Sequence, residues 1–345
     1  MSSRYARLLT AVLAGTLAAC SSNGTPSATP RLGAVSSMIL PSGEHVVRAG
    51  LHEVRFGVTL RHAHAGRSWI DPAVKKKAIL YASSYDGGFI NVYSQKGTGQ
   101  QPIGQLTSGL LSPQGMFVDG HHTLWVANTN AFDIVAFKRN ATAPFLTLND
   151  PDYYPIAVVV DHHGTAFAAN AQGSSGQPGT VTYWKKGDTD PTGTITISGL
   201  QLALGIGVDA GDNVYVSYIP TSGPPMVAVV TAGTTTGQPL GISGASIGDI
   251  TFDSTKNLVM EDAFGSLGIW ARPYNGGPAR TLPAFGNEPT LDKKRSRVWI
   301  AYANFSEPMI ESYDYASGQQ RDVITAGFTD TAIPSGVALD PAAKP

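Results

Sequence analysis

The 345-residue chain sets 24 Lys and Arg against 25 Asp and Glu for a net charge of -1, and no basic stripe breaks that balance, so nucleic acid is not expected as a partner. Charged residues are only 14%, 39 Gly and 23 Pro point to a chain dominated by turns, and the single cysteine leaves no pair for a disulfide. Such a composition fits an exported all-β body.

At the N-terminus Arg4 and Arg7 precede an apolar run from Leu8 to Leu17, which leads into Ala18-Ala19-Cys20. That run is too short to span a bilayer of roughly 30 Å, so residues 1–19 read as a removed leader. The segment resembles a bacterial lipoprotein signal with its lipobox. The resemblance implies cleavage before Cys20, lipidation of its thiol and new amino group, and stable attachment of the protein to a membrane. Ser21 after the cysteine resembles lipoproteins sent to the outer membrane, in an organism that has one. Residues 20–30 are therefore the lipidated cysteine and a flexible tether of Ser, Thr, Asn, Gly, Pro and Ala. Residues 31–68 form a lead-in, in which Val46-Val47, Val54, Phe56 and Val58 alternate enough for a strand or two. It is expected to pack outside the main body or to stay partly irregular. His62 and His64 lie within it and lack a third metal ligand, so they are expected to be solvated.

From residue 69 to 345 a phrase recurs: a short apolar run ending in aspartate, followed by a hydrophobic strand. The aspartates are Asp71, Asp119, Asp161, Asp209, Asp253, Asp292 and Asp340, separated by 48, 42, 48, 44, 39 and 48 residues. A period of about 45 with several short strands per unit is the arithmetic of a β-propeller. Second strands are predicted at 79–83, 124–128, 166–170, 214–218, 258–262 and 298–302. Third strands follow at 89–93, 133–137, 181–184, 226–230, 268–270 and 309–313. Weaker fourth strands close each unit at 103–106, 145–148, 194–197, 240–242, 280–282 and 322–325. Seven first strands thus face six copies of the others. The surplus predicts a seam, with Ser335-Gly336-Val337-Ala338-Leu339-Asp340 pairing into the N-terminal blade so that no inner edge stays open. The fold class expected is an all-β, six-bladed propeller with four-stranded antiparallel blades.

Pro113, Gly115, Val118, Asp119, Leu124, Val126, Asn128, Ile134 and Phe137 resemble the NHL-type repeat, and this likeness extends from about Trp69 to Pro341. It is best in the second unit and degenerate at 248–262 and 288–304. The recurring aspartate is expected to cap its own turn by accepting backbone N–H bonds, a folding device and not seven active sites. A ligand is expected at the channel mouth formed by the loops between second and third strands and those leading into each blade. These offer Asp86, Asn128, Asn130, Asn170, Tyr218, Glu261, Asp262, Asn304 and Glu307, with Tyr85, Phe132, Phe264 and Phe305 beside them. Such groups suit Ca²⁺ or a polar ligand, although each amide or carboxylate has a plain alternative in closing its local turn. His121-His122 and His162-His163 recur in the turn on the opposite face, and since adjacent side chains diverge neither pair is expected to chelate a metal alone.

No nucleophile elbow, His-Glu-x-x-His or phosphate loop is present, so no catalytic residue is assigned. The chain reads as a membrane-anchored binding or interaction module of the bacterial cell envelope, with an envelope protein, peptide or glycan as partner and no required cofactor. The alternative is a metal-dependent hydrolase resembling gluconolactonase propellers, or a lyase of the streptogramin-inactivating type. That resemblance implies a divalent ion in the channel held by Glu288 with Asn128, Asn170 or Asp262. The glycine expected between Glu288 and Pro289 is absent.

Overall fold

The computed structural model describes residues 35–39, 44–49, 52–57, 66–262, 265–284, 286–302 and 307–342. The predicted leader, Cys20 and the tether lie outside these residues, as do His62, His64, Phe264, Asn304 and Phe305.

From Trp69 onward the described strands fall into six antiparallel sets. Each runs outward from an inner strand at the axis through three more, with a fifth at the outer edge of one blade. The inner strands are Gly336–Asp340, Pro113–Val118, Tyr153–Val160, Leu200–Val208, Thr251–Phe252 and Asn287–Leu291, and the blades are numbered one to six in that order. Blades three and four share one hydrogen-bonded sheet because their outer strands meet in a short parallel pair, Thr196 with Thr236 and Ile197 with Gly237.

The seam forms as expected. Gly336 to Asp340 pairs antiparallel with Ile79–Ser84 in the register Val337 to Ala82 and Leu339 to Leu80, which joins the C-terminal strand to the first blade. The Trp69–Ile70 strand yields the inner position and pairs with Gly104–Leu106 at the outer edge, making blade one five-stranded. Leu339, Val337, Leu80, Trp299 and Ile310 then share one apolar cluster, so the seam is also packed against blade six.

Neighbouring inner strands approach so closely that their glycines follow from sterics. A Cβ on Gly115 would meet the Ile156 carbonyl oxygen at 2.5 Å, and one on Gly205 would meet the Gly248 carbonyl oxygen at 1.9 Å. Only a residue without a side chain fits there. Farther out, apolar residues of neighbouring blades pack together: Trp125, Ala136, Val158 and Trp184 of blades two and three, Tyr215, Phe252, Met260 and Trp270 of four and five.

One predicted strand is displaced. The outer strand of blade four is Thr236–Pro239, not 240–242. The apolar Leu240 and Ile242 drew the prediction, but the edge strand is formed by backbone pairing of Ala228, Val229 and Val230 with Pro239, Gln238 and Gly237, for which a Thr- and Gly-rich segment suffices. Ile242 makes only an isolated bridge to Gly276.

The lead-in also differs from its expected place. It forms a three-stranded antiparallel sheet of β1 (Val35–Ile39), β2 (His45–Ala49) and β3 (His52–Phe56). Val47 and Phe56 are buried in one cluster with Tyr154, Ile156, Leu204, Ile219 and Ile247. Those partners sit on the leading ends of blades three to five, so the sheet lies over a channel mouth and not outside the ring.

Candidate functional site at the channel mouth

The inner strands enclose a cavity of about 70 Å³ lined by Val337, Met116, Val158, Ile206, Ile250 and Thr290, one contribution from each blade. Its two carboxylates are Asp249 and Glu288. Glu288 is buried at a positive φ of 55°, and its Oε2 lacks a hydrogen-bond partner. Burial first, then the charge of Asp249, pushes the Glu288 carboxyl well above the usual carboxylate range, opposed by the amides of Met116 and Val337. A Cβ on Gly336 would overlap this carboxylate, so the seam strand and Glu288 require one another's shape. Asp249 is held by the amide of Ile206, which donates to its Oδ1 at 3.0 Å.

Above this narrow channel the mouth residues hold the N-terminal sheet. The Arg55 guanidinium reaches Asp86 Oδ1 at 3.4 Å, and its carbonyl accepts from Gln114 Nε2 at 2.8 Å. Gln114 also donates to Thr129 Oγ1, and Thr129 in turn donates to the Pro155 carbonyl, which links blades two and three beneath the sheet. Phe56 stacks on His45 with centroids 5.1 Å apart and tilts against Tyr154 at 5.6 Å. Burial and the nearby Glu44 carboxylate push the Tyr85 hydroxyl far above its ordinary value, which keeps it a neutral donor and acceptor.

The sequence-predicted residues occupy several different environments. Asn130 donates to the Tyr85 hydroxyl at 3.1 Å and to Ser112 Oγ at 3.0 Å, at the mouth. Asn128 is spent locally, donating to the Gly109 carbonyl and Asp133 Oδ1 while accepting from the Leu111 amide. Asn170 donates to Thr182 Oγ1 at 2.9 Å and lies beside Asp150, a buried carboxyl that desolvation raises to about 7. Tyr218 is buried with its hydroxyl on the Met226 sulfur, and Asp262 closes a turn by accepting from the Ser266 amide. Glu261 is buried at the end of its strand, whereas Glu307 is exposed. Glu288 lines the channel cavity, but Asn128, Asn170 and Asp262 do not. Among the described residues no three His, Cys, Asp or Glu side chains gather as metal ligands. Arg55, Phe56, Gln114 and Asp249 carry no repeat signature, and only the alternation around Phe56 hinted at their part.

On the opposite face the turn aspartates act as expected. Asp119 Oδ1 accepts from the amides of His121 and Thr123 at 2.8 and 2.9 Å, and Asp161, Asp209 and Asp253 repeat the pattern with their own second and fourth followers. Asp340 departs from it: Pro341 follows, and its carboxylate instead pairs with His122 and Arg139 of blade two.

Inner strands meeting around one channel, each the first of an outward-running set, decide the architecture. The chain folds as a β-propeller. No family model matches the sequence, and no curated protein matches it. Solved structures are similar to the propeller in shape. A chain of the nidogen/laminin complex superposes with a TM-score of 0.61 at 17% identity, covering 76% of this chain and 97% of that one. A protein of unknown function from Bacteroides caccae gives 0.57 at 11% identity over 76% and 99% of the two chains. A functionally unknown protein from Desulfotomaculum acetoxidans gives 0.52 at 11% identity over 77% and 99%.

Proposed function

We propose that the propeller is an interaction module of the bacterial cell envelope, tethered through acylated Cys20, and that its partner, a protein, peptide or glycan, docks at the capped end. The supporting observation is the N-terminal sheet seated over the mouth by Phe56, Arg55 and Gln114. A deep ligand would have to displace it, and the channel below offers only about 70 Å³, far short of the several hundred that enclose a small molecule. The recognition surface is then the outer face of the sheet and the rim around it. Met38 and Ile39 are exposed, 43% and 66%, on the edge strand β1, and the exposed Glu307 adds charge in the loop between the second and third strands of blade six. Among the described residues β1 is an edge strand, which suits an extended partner segment.

The hydrolase alternative has one point in its favour, the buried pair of Glu288 and Asp249. Two side-chain carboxylates, one of them held toward its neutral form, are a poor match to the six to eight oxygens that Ca²⁺ takes. The cavity also has no room for a lactone. No step is therefore routed through a metal.

The test uses photo-crosslinking residues in the full chain in cells, one set at Ser37, Ile39 and Glu307 and another at Lys294 on the turn face. The reading expects discrete adducts from the first set, and Cys20→Ser should both release the protein from membranes and erase them. Adducts only from Lys294, or none from the capped end, would refute it.

A further inference from the structure

The register between second and third strands gives each blade an equivalent position, two residues past the partner of the second strand's first residue. Phe137 pairs with Leu124, Trp184 with Ala166, Trp270 with Leu258 and Tyr313 with Val298. The equivalent residues are therefore Arg139, Lys186, Arg272 and Tyr315 in blades two, three, five and six, with Lys96 and Ala232 in blades one and four. Three of them reach across to the preceding blade's turn aspartate: Arg139 to Asp340, Arg272 to Asp209 at 3.4 Å, and Tyr315 to Asp253 at 3.0 Å. Each so bridges the cleft between its blade and the one before, although beside Arg272 a cavity of about 280 Å³ remains.

Lys186 does not. Its aspartate would be Asp119, whose Oδ2 instead accepts from Trp125 Nε1 of its own blade at 2.9 Å. Its stem instead lies over its own turn, so close that a Cβ on Gly164 would meet Lys186 Cδ at 3.2 Å. The cleft between blades two and three stays open as a cavity of about 450 Å³. Its floor is apolar, from Phe117, Trp125, Leu148 and Trp184, and Phe145 stands at the side with half its surface exposed. This is within the size of small-molecule sites, and far larger than the channel.

The polar rim holds charges of both signs. Its carboxylates are engaged within their own blades: Asp119 accepts three donors, Asp161 two at Oδ1, and Asp188 one from Thr192 Oγ1. His162 and His163 lean on Asp212 of blade four. Among the described residues neither Lys185 nor Lys186 forms an ion pair, and both line the cavity. We infer that this inter-blade cleft is a binding site for a small hydrophobic acid, a flat apolar body on the Trp125 and Trp184 floor with its anionic group on Lys185 and Lys186. The site is independent of the partner surface at the capped end, since it opens on the other face.

Calorimetric titration of the full chain with 2-naphthoate and with its neutral counterpart 2-naphthylmethanol tests this. Naphthoate should bind at one site, about tenfold tighter than the alcohol, the gain expected of a charge-assisted contact. Two variants separate body from charge. Lys186→Tyr copies Tyr315, fills the cleft, and should abolish both ligands. The exposed double change Lys185→Ala with Lys186→Ala should bring naphthoate down to the alcohol's affinity and leave the alcohol unchanged. No naphthoate binding, equal affinity for both probes, or binding indifferent to Lys186→Tyr would overturn the inference.

Discussion

In the turns after the inner strands, Oδ1 of aspartate takes two backbone amides, which leaves Oδ2 to bind a neighbour: Trp125 for Asp119, Tyr215 for Asp209, Asn257 and Tyr315 for Asp253. Asp253 is held below its ordinary value by the Asn257 and Thr255 bonds despite partial burial. Asp150 is the opposite case. It is 1% exposed, its Oδ2 has no hydrogen-bond partner, and burial raises it to about 7 against the help of Asn170 and Thr182. Because its folded value lies above the unfolded one near 3.8, the unfolded chain releases this proton first as pH rises. Stability from this group therefore falls between about pH 4 and 7 and levels off above. Asp150→Asn keeps an acceptor and removes the charge. We expect it to raise the melting temperature by a few degrees at pH 8 and to have no effect at pH 4, read from melts at both; an equal shift at the two pH values would show that ionisation is not the cause.

The strands of the ring were legible because each repeats a short-range pattern: an apolar run, Asp119 or its copies, a Gly turn, another apolar run. That pattern is set by local hydrogen bonds and by strand alternation, both of which leave marks in neighbouring residues. The outer strand of blade four escaped because edge pairing asks little of side chains, and Thr236–Pro239 carries no apolar signal. The cap escaped for a different reason. β1 to β3 announce themselves as strands, but Phe56 acquires its burial from Tyr154, Leu204 and Ile247, a hundred to two hundred residues later, and no local pattern encodes that. Mouth residues were named from their loops, and the structure engages Asp86 and Asn130 with the cap or its supports while Asn128 and Asp262 serve their own turns. If the cap is a separate cooperative unit, Phe56→Ala, which forfeits about 3 to 5 kcal/mol of packing, should loosen it alone. Limited proteolysis between residues 45 and 56 should then accelerate about a hundredfold to several thousandfold, with the melting temperature of the ring nearly unchanged. A rate equal to that of the unaltered chain would mean that Phe56 does not hold the sheet down.

Closure ties residues 336–340 to residues 79–83, so the two ends of the ring meet in one blade across almost the whole sequence. An open ring would expose the inner edge of Ile79–Ser84 and unpack Leu80 and Ala82, which touch the seam strand and blade six in one cluster. The cost would not stay in blade one, because inner strands approach too closely for any to shift independently, as the glycines at Gly115 and Gly205 require. Leu339 is fully buried at this joint. Leu339→Ala should cost about 2 to 5 kcal/mol and, unlike Phe56→Ala, should lower the urea midpoint reported by tryptophans in every blade that has one, Trp69, Trp125, Trp184, Trp270 and Trp299 alike. Removing residues 336–345 should leave no cooperative transition. Hydrogen exchange that accelerates only at 336–342 in Leu339→Ala, with the global midpoint unmoved, would show that the ring holds without its latch, and that blade-to-blade packing alone carries the fold.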